Sequence, residues 1–333
     1  MKTTQEIKTD IDTLVRKQGN QGALKLGDVL DDIVDNLRVV DKTMANIPDV
    51  ATFQTAVPNT ATEIAFAYYG GVDLTGYTKS GNIGKDIAVY ADGTKYALVS
   101  GKTIFAPENS AEFFNGYSAL TTLDVSNFDT ANVTSFYRMF NGCSGLTTLD
   151  VTNFDTAKAT TFAAMFNGCS SLTSLDVTNF DTANATSFAY MFSGCSGLTT
   201  LDVTNFDTAK GNAFNAMFSG CSGLTTLDVT NFDTANVTSF YRMFNGCSGL
   251  TTLDVTNFDT AKATTFAAMF NGCAALTTIT ASDWSATVTS GNMFNGCTSL
   301  VGGNGTTYDA DHTDAAYAHI DTADNPGYFT APA

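Results

Sequence analysis

The sequence predicts an α+β repeat protein, a solenoid of 26-residue rungs that each contain one strand and one short helix. The period is visible in the cysteines, which recur every 26 residues from Cys143 to Cys273. Residues 136–169 also recur letter for letter as residues 240–273. A fixed period of this length is typical of solenoids, because a single unit can bury its apolar face only against the next copy.

Two short patterns predict the elements of each rung. Residues 148–151 read Thr-Leu-Asp-Val, and this alternation is the period of a strand with one apolar face. Residues 162–166 place Phe, Met and Phe three and four positions apart, which is the spacing of one face of a short helix. Each rung should therefore contribute a strand and a helical turn to a shared core.

Residues 1–45 are expected to form a helical oligomerisation or attachment segment. Thr3 and Glu6 have the spacing of a capping box. The apolar stripes of two short helices contain Ile7, Ile11, Leu14, Leu30, Ile33 and Leu37. Such helices are marginal alone in water, so they should pack on the next domain or make contacts within an assembly. The segment lacks the apolar core and cleavage site of a secretory signal, which favours a protein that needs no export signal.

The remaining chain divides into four parts. Prolines and paired glycines punctuate residues 46–84, which indicates a connector of short strands and turns. Residues 85–116 should form a β-rich N-terminal cap with a hairpin. The repeats occupy residues 117–302, and residues 303–333 form a C-terminal cap. Caps are needed because an open end of the array would expose core and strand edges.

Composition excludes two classes of partner. The formal net charge is −17, and the repeat block contains few basic residues, namely Arg138, Lys158, Lys210, Arg242 and Lys262. A protein that neutralises phosphates needs a basic stripe, so nucleic-acid binding is not expected. No stretch of 18 apolar residues occurs, so membrane insertion is not expected either.

The cysteines are expected to be core residues. Each lies in the same position of its own rung, and Tyr117 takes that position in the first rung, which indicates a buried apolar row of reduced thiols. Disulfides between adjacent rungs and metal ligation are the alternatives. One cysteine per 26 residues without a nearby histidine is not the spacing of a zinc site, so no metal or cofactor is predicted.

Two rows of aspartates recur with the period. Those of the Asn-Phe-Asp-Thr segment, such as Asp155, should cap a turn. The other row points out of the strand and is a candidate binding surface for cations or a basic partner, with a solvated acidic face as the alternative; it contains Asp150, Asp176, Asp202 and Asp228.

The other candidate ligand-binding residues are those that differ between rungs. Large or charged groups replace alanine at Tyr137, Arg138, Tyr190, Tyr241 and Arg242. Tyrosine and arginine anchor interfaces and stack on planar groups. The alternative is neutral variation on a convex surface.

Few residues suggest catalysis. The only histidines are His312 and His319, and both lie in the C-terminal cap. Residues 309–314 have aspartates at calcium-loop-like intervals but lack the glycine and the distal glutamate of such a loop. We therefore predict that the protein is not an enzyme.

The string Leu-x-x-Leu-Asp-Val-(Ser/Thr)-Asn-Phe-Asp-Thr followed by Met-Phe-x-Gly-Cys resembles the BspA-like leucine-rich repeat of surface proteins from host-associated microbes. The resemblance covers about residues 85–330, including the flanks at residues 89–107 and 300–329. It implies a curved solenoid of leucine-rich-repeat type with adhesive roles and no catalysis. Residues 10–37 resemble the N-terminal segment of virion appendage proteins of tailed phages that infect Bacteroidales.

These observations predict a phage virion structural protein, a head or tail fibre or decoration, that presents its solenoid for host-surface adhesion. It should sit on the virion surface and form homo-oligomers. Residues 1–45 should bind other virion proteins, and the array should bind a bacterial surface glycan or protein. The alternative is a BspA-like adhesin of the bacterial cell surface whose export signal is missing from the sequence.

Overall fold

The computed structural model describes residues 45–284, 288 and 290–333. The predicted N-terminal helices, with Ile7, Ile11, Leu14, Leu30, Ile33 and Leu37, lie outside the described residues. The described residues contain these elements: β1 (Ala45–Asn46), α1 (Val50–Ala56), β2 (Glu63–Tyr68), β3 (Thr78–Ile83), β4 (Ile87–Asp92), β5 (Lys95–Ser100), β6 (Ile104–Phe105), β7 (Thr122–Asp124), β8 (Phe128–Asp129), β9 (Thr252–Asp254), β10 (Thr278–Thr280), a 3-10 helix (Ala315–Tyr317) and β11 (Phe329–Thr330).

A five-stranded sheet begins the array, with strand order β3-β4-β5-β2-β7. The hairpin of β4 and β5 turns at residues 93–94, as the sequence predicts. β2 lies in parallel between β5 and the first strand of the repeats, β7. Residues 63–68, which the sequence assigns to a connector, are thus a central strand of the sheet that joins cap and repeats.

Residues 45–68 form the first layer of the core. β1 pairs in parallel with β6, which pairs with β8, so this layer continues into the repeats on two sides. Helix α1 begins at Asp49, whose carboxylate accepts a hydrogen bond from the Thr52 N–H at 2.7 Å. Its buried residue, Phe53, stacks on Phe113 with ring centroids 4.2 Å apart. This helix closes the apolar end of the stack.

We call each 26-residue repeat a rung; the cysteine-containing rungs run from 118–143 to 248–273, and Tyr117 ends the rung that precedes them. Successive rungs stack in register, because backbone hydrogen bonds join equivalent segments: Phe136 N–H donates to the Thr161 carbonyl at 3.1 Å and Phe162 N–H to the Ser187 carbonyl at 3.0 Å. One column of phenylalanine rings runs through the core, with Phe140, Phe166 and Phe192 separated by 5.6 and 5.7 Å. A continuous apolar core therefore runs from the first layer to the C-terminal cap.

The predicted short helix of each rung is wrong. Residues 162–169 form successive turns, with Met165 N–H donating to the Phe162 carbonyl at 3.0 Å and Cys169 N–H to the Phe166 carbonyl at 3.1 Å. Ala164 and Gly168 have φ of +54° and +74°, which no right-handed helix contains. The apolar residues still point inward, because the turns bury Phe162, Met165 and Phe166.

The predicted strand occurs in only some rungs. It is regular in β7, β9 and β10, whereas residues 148–150 and their equivalents in the next three rungs form no regular strand. The alternation itself is confirmed, since Leu149 and Val151 are buried and Thr148 and Asp150 are exposed.

The cysteine row is confirmed as buried and unpaired. Each thiol donates to a carbonyl of the preceding rung, as Cys169 Sγ does to Phe140 O at 3.1 Å. Burial raises the pKa of Cys169 to about 12. These thiols are protonated core residues.

The C-terminal cap adds one more strand, because β11 pairs in parallel with β10. The buried Asp321 carboxylate holds the cap together by accepting hydrogen bonds from the N–H groups of Asn304 and Thr306 at 2.8 and 2.9 Å and from the Thr306 hydroxyl at 2.7 Å. Among the described residues, no helix is both long and apolar enough to cross a membrane.

Candidate functional site: two surfaces of the repeat stack

The predicted aspartate row lines a groove that runs along the strand side of the stack. We call it the Asp groove; it spans residues 174–254 and encloses about 700 Å³. Its floor is formed by Leu175, Leu201 and Leu227, which are each 7% exposed. A smaller hollow of about 390 Å³ shares residues 174–176 and extends the groove to residue 122. Each of the rungs of Asp176, Asp202 and Asp228 lines the groove with two threonine or serine residues, one leucine and one aspartate.

Every aspartate of this row forms a turn with the threonine two positions later. Asp176 Oδ1 accepts hydrogen bonds from the Thr178 hydroxyl at 2.6 Å and from the Thr178 N–H at 3.0 Å. These bonds hold the pKa of Asp176 below its ordinary value, and they outweigh the opposing repulsion from Asp150 and Asp202. The hydroxyl bonds of Thr152 and Thr204 likewise lower the pKa of Asp150 and Asp202. Asp150, Asp176 and Asp202 therefore keep their negative charge at neutral and mildly acidic pH.

The second aspartate row caps turns, as the sequence predicts. Asp155 Oδ1 accepts a hydrogen bond from the Ala157 N–H at 3.1 Å, and the same bond recurs in the other rungs.

The predicted tyrosine and arginine residues lie in a different segment, the turns at residues 136–142 and their equivalents. Arg138 has φ of +53°, and the residues of the same position in later rungs also have positive φ: Ala164, Tyr190, Ala216, Arg242 and Ala268. We call this row the left-handed column. Arg138 reaches Glu112, the residue one rung earlier in the column, at 3.4 Å. The side chains of Glu112 and Arg138 therefore meet across neighbouring turns at the start of the column.

Each arginine of the column lies over a tyrosine ring. The guanidinium carbons of Arg138 and Arg242 are 5.0 Å from the ring centroids of Tyr137 and Tyr241. Tyr190 occupies the arginine position of its own rung and is 42% exposed. The Asp groove thus contains Asp150, Asp176, Asp202 and Asp228 but none of these tyrosines or arginines.

A ladder of asparagine and lysine residues explains the alternation in the sequence. Lys158, Lys210 and Lys262 each donate to the asparagine one rung earlier, with Nζ to Oδ1 distances of 2.9, 2.8 and 3.0 Å. Asn184 in turn donates to the Ala157 carbonyl at 3.0 Å. Alternation keeps two ammonium groups from stacking one rung apart. The sequence shows the strict alternation of Asn132, Lys158, Asn184, Lys210, Asn236 and Lys262, but only the structure shows the bonds that it permits.

The two histidines make local contacts within the C-terminal cap. In the C-terminal cap, His312 Nδ1 lies 3.0 Å from Asp309 Oδ2, and His319 contacts Asn325. Within residues 45–284, 288 and 290–333, no group of three or more His, Cys, Asp and Glu side chains could hold a metal ion.

These features define a repeat protein with two long exposed surfaces. Residues 108–224 and residues 194–308 match the model of a family described as "Mycoplasma protein of unknown function, DUF285". The two matches together cover more than half of the chain, so the protein belongs to this family. No curated protein and no solved structure matches the chain.

Proposed function

We propose that the protein is a non-enzymatic phage virion component, a head or tail fibre or decoration, that presents a leucine-rich-repeat-type solenoid for adhesion to the host surface. The binding role rests on where the rungs differ in sequence. Side chains that repeat without change build the core, as Phe166 and Cys169 do, whereas the changing residues such as Arg138 and Tyr190 are exposed. A surface that varies over a constant scaffold is the usual construction of a recognition protein.

Two further features support adhesion. The repeat motif resembles that of BspA-like surface proteins, and the exposed surfaces extend along many rungs, as is typical of repeat proteins that bind large partners. The resemblance of residues 10–37 to virion appendage proteins favours the virion. In this proposal residues 1–44 attach the chain to other virion proteins and to further copies of itself, because fibres are commonly symmetric homo-oligomers.

The alternative is a bacterial cell-surface adhesin, and the resemblance of the repeats to BspA-like proteins favours it. Protein mass spectrometry on density-purified particles that contain DNA and on washed cell envelopes from the same culture separates the two. Enrichment in particles is expected from the virion proposal. Enrichment in envelopes would reject it and support the adhesin.

A second experiment tests attachment. A chain without residues 1–44 should fold, because the described core begins at Ala45, but it should no longer enter particles during complementation. Incorporation of the shortened chain at the level of the full chain would contradict the attachment role.

A further inference from the structure

We propose that the left-handed column is the contact surface for an uncharged, linear, β-linked polysaccharide that lies along the axis of the stack. This inference rests on the proposed adhesive function and names its ligand class. The inference rests on a strict alternation of large and small residues in the column. Arg138, Tyr190 and Arg242 occupy every second rung, and Ala164 and Ala216 occupy the rungs between them.

The alternation sets a regular spacing of contact groups. Equivalent positions of neighbouring rungs lie one strand spacing apart, ~4.8 Å, so residues two rungs apart are separated by about 10 Å. The alanines between them are nearly buried, at 6% exposure for Ala164 and 1% for Ala216. The surface therefore presents large side chains at intervals of about 10 Å with shallow gaps between them. A disaccharide of an extended β-linked chain has a length of the same order.

The chemistry of the large side chains suits a sugar. Tyr190 is 42% exposed and offers an aromatic face on which a pyranose ring can pack. Arg242 lies over Tyr241 and has no ion pair among the described residues, so its N–H groups are available to hydroxyl oxygens. Arg138 shares its guanidinium with Glu112 at 3.4 Å across an exposed gap, a contact that costs little to rearrange.

The backbone holds these side chains outward at a cost. A positive φ costs a non-glycine residue about 1–2 kcal/mol, yet the column never contains glycine. Four positions later in every rung the backbone is again left-handed, and there the residue is always glycine, as at Gly142 and Gly168. A side chain is thus retained in the column although glycine would relieve the strain.

Net charge decides between neutral and acidic polysaccharides. With a formal net charge of −17, the protein repels polyanions at long range, and the column contains only two cations. An uncharged chain that binds through ring packing and hydroxyl groups meets no such barrier.

Binding is tested by titration calorimetry of the full chain with cello-oligosaccharides and chito-oligosaccharides, from disaccharide to octasaccharide, and with hyaluronan oligosaccharides as the anionic comparison. We expect affinity for a neutral series to rise at least tenfold between the disaccharide and the hexasaccharide, because longer chains reach a second and third contact residue. Tyr190→Ala and Arg242→Ala should each weaken binding about tenfold. Tyr68→Ala, at an exposed tyrosine of the cap, is the matched control and should leave affinity unchanged.

Spacing is tested by a deletion that removes no contact residue. Loss of residues 196–221 brings Tyr190 and Arg242 to adjacent rungs, and we expect at least a fivefold loss of affinity for the hexasaccharide. Circular dichroism confirms that this variant is folded, and the single substitutions test the proposal if it is not. No binding of either neutral series, preference for hyaluronan, or affinity that none of the variants changes would overturn the proposal. Recovery of the chain in particles would still support the virion role in that case, so the two failures are distinguishable.

Discussion

At the scale of single residues, two left-handed positions in each rung have opposite requirements. In the left-handed column the arginine and tyrosine side chains are exposed, so large residues are accepted there. At the glycine position the rungs stack closely, and a Cβ on Gly168 would lie 3.6 Å from the Gly142 Cα. The same backbone conformation therefore serves display at one position and close stacking at the other.

The glycine position should resist substitution more strongly than its neighbour Gly197. Gly194→Ala should lower the free energy of unfolding by about 1–2 kcal/mol, because φ at Gly194 is +74° and an L-residue is strained there. Gly197→Ser is the matched control. A Cβ on Gly197 would lie 2.7 Å from the Leu172 carbonyl oxygen unless the backbone shifts. The loss of unfolding free energy should still be smaller than for Gly194→Ala, because Ser171 already occupies the equivalent position one rung earlier. Urea unfolding of both variants measures the difference, and equal losses would contradict it.

Asp321 should make the stability of the C-terminal cap depend on pH. Hydrogen bonds from Thr306, Asn304 and Gly327 keep its pKa below the ordinary value although burial opposes them. A carboxylate whose pKa is lower in the folded than in the unfolded chain stabilises the fold at pH values above its unfolded pKa of about 3.9. This stabilisation is lost as the pH falls through the lower pKa of the folded state. Asp321→Asn should therefore cost about 1–3 kcal/mol at pH 7 and progressively less below about pH 4.

Denaturant unfolding of wild type, Asp321→Asn and the exposed control Asp324→Asn at several pH values measures this effect. A constant difference between wild type and Asp321→Asn across the acid range would show that the carboxylate charge contributes nothing.

At the scale of elements, the sequence predicted which residues face inward but not the backbone path between them. The spacing of Phe162, Met165 and Phe166 fits a helical face, yet successive turns bury the same residues. The sequence signal for turns in place of a helix is the glycine that follows, because Gly168 has a left-handed backbone. Ala164 has the same conformation, but its residue type gives no sign of it. The Asp groove was predictable as a row of exposed aspartates, whereas the hollow over Leu175, Leu201 and Leu227 is visible only in the structure.

Deletion of a single rung should destabilise the asparagine–lysine ladder, whereas deletion of two neighbouring rungs should not. Deletion of residues 170–195 places Lys158 directly beside Lys210, whereas deletion of residues 196–221 places Asn184 beside Asn236. Both variants lose one rung and one lysine–asparagine bond, so they differ mainly in the contact between two ammonium groups. Repulsion at this distance costs up to about 1 kcal/mol in water.

We therefore expect the variant without residues 170–195 to melt at a lower temperature than the variant without residues 196–221 at low salt. The difference in melting temperature should disappear in high salt, because exposed charges are screened. Deletion of residues 170–221 removes a complete pair and keeps the alternation, because Asn236 then follows Lys158 as Asn184 does in the full chain and can donate to the Ala157 carbonyl in the same way. Its ladder should show no such salt dependence. Identical salt dependence in all three variants would mean that the ladder does not select rung pairs.

At the scale of the whole molecule, stability should depend on the layer that closes each end. Repeat stacks gain stability from contacts between neighbours, and an end without a cap exposes core and unpaired strand edges. At the start of the array, α1 and β2 cover the rings of Phe113 and Phe114 through Phe53 and Phe66. Residues 45–68 are thus as much a part of the core as any rung.

Two truncations test this role of residues 45–68. Removal of residues 1–44 should leave the melting temperature and monodispersity of the array unchanged, because the described core begins at Ala45 and Phe53 and Phe66 cover its first rings. Removal of residues 1–68 should expose Phe113, Phe114 and the edge of β7, and the chain should aggregate or bind a hydrophobic dye. Size-exclusion chromatography and dye fluorescence compare the two chains. If the chain without residues 1–68 is monodisperse, the first rung closes the stack by itself. If the chain without residues 1–44 aggregates, the layer that closes the stack lies further towards the N-terminus.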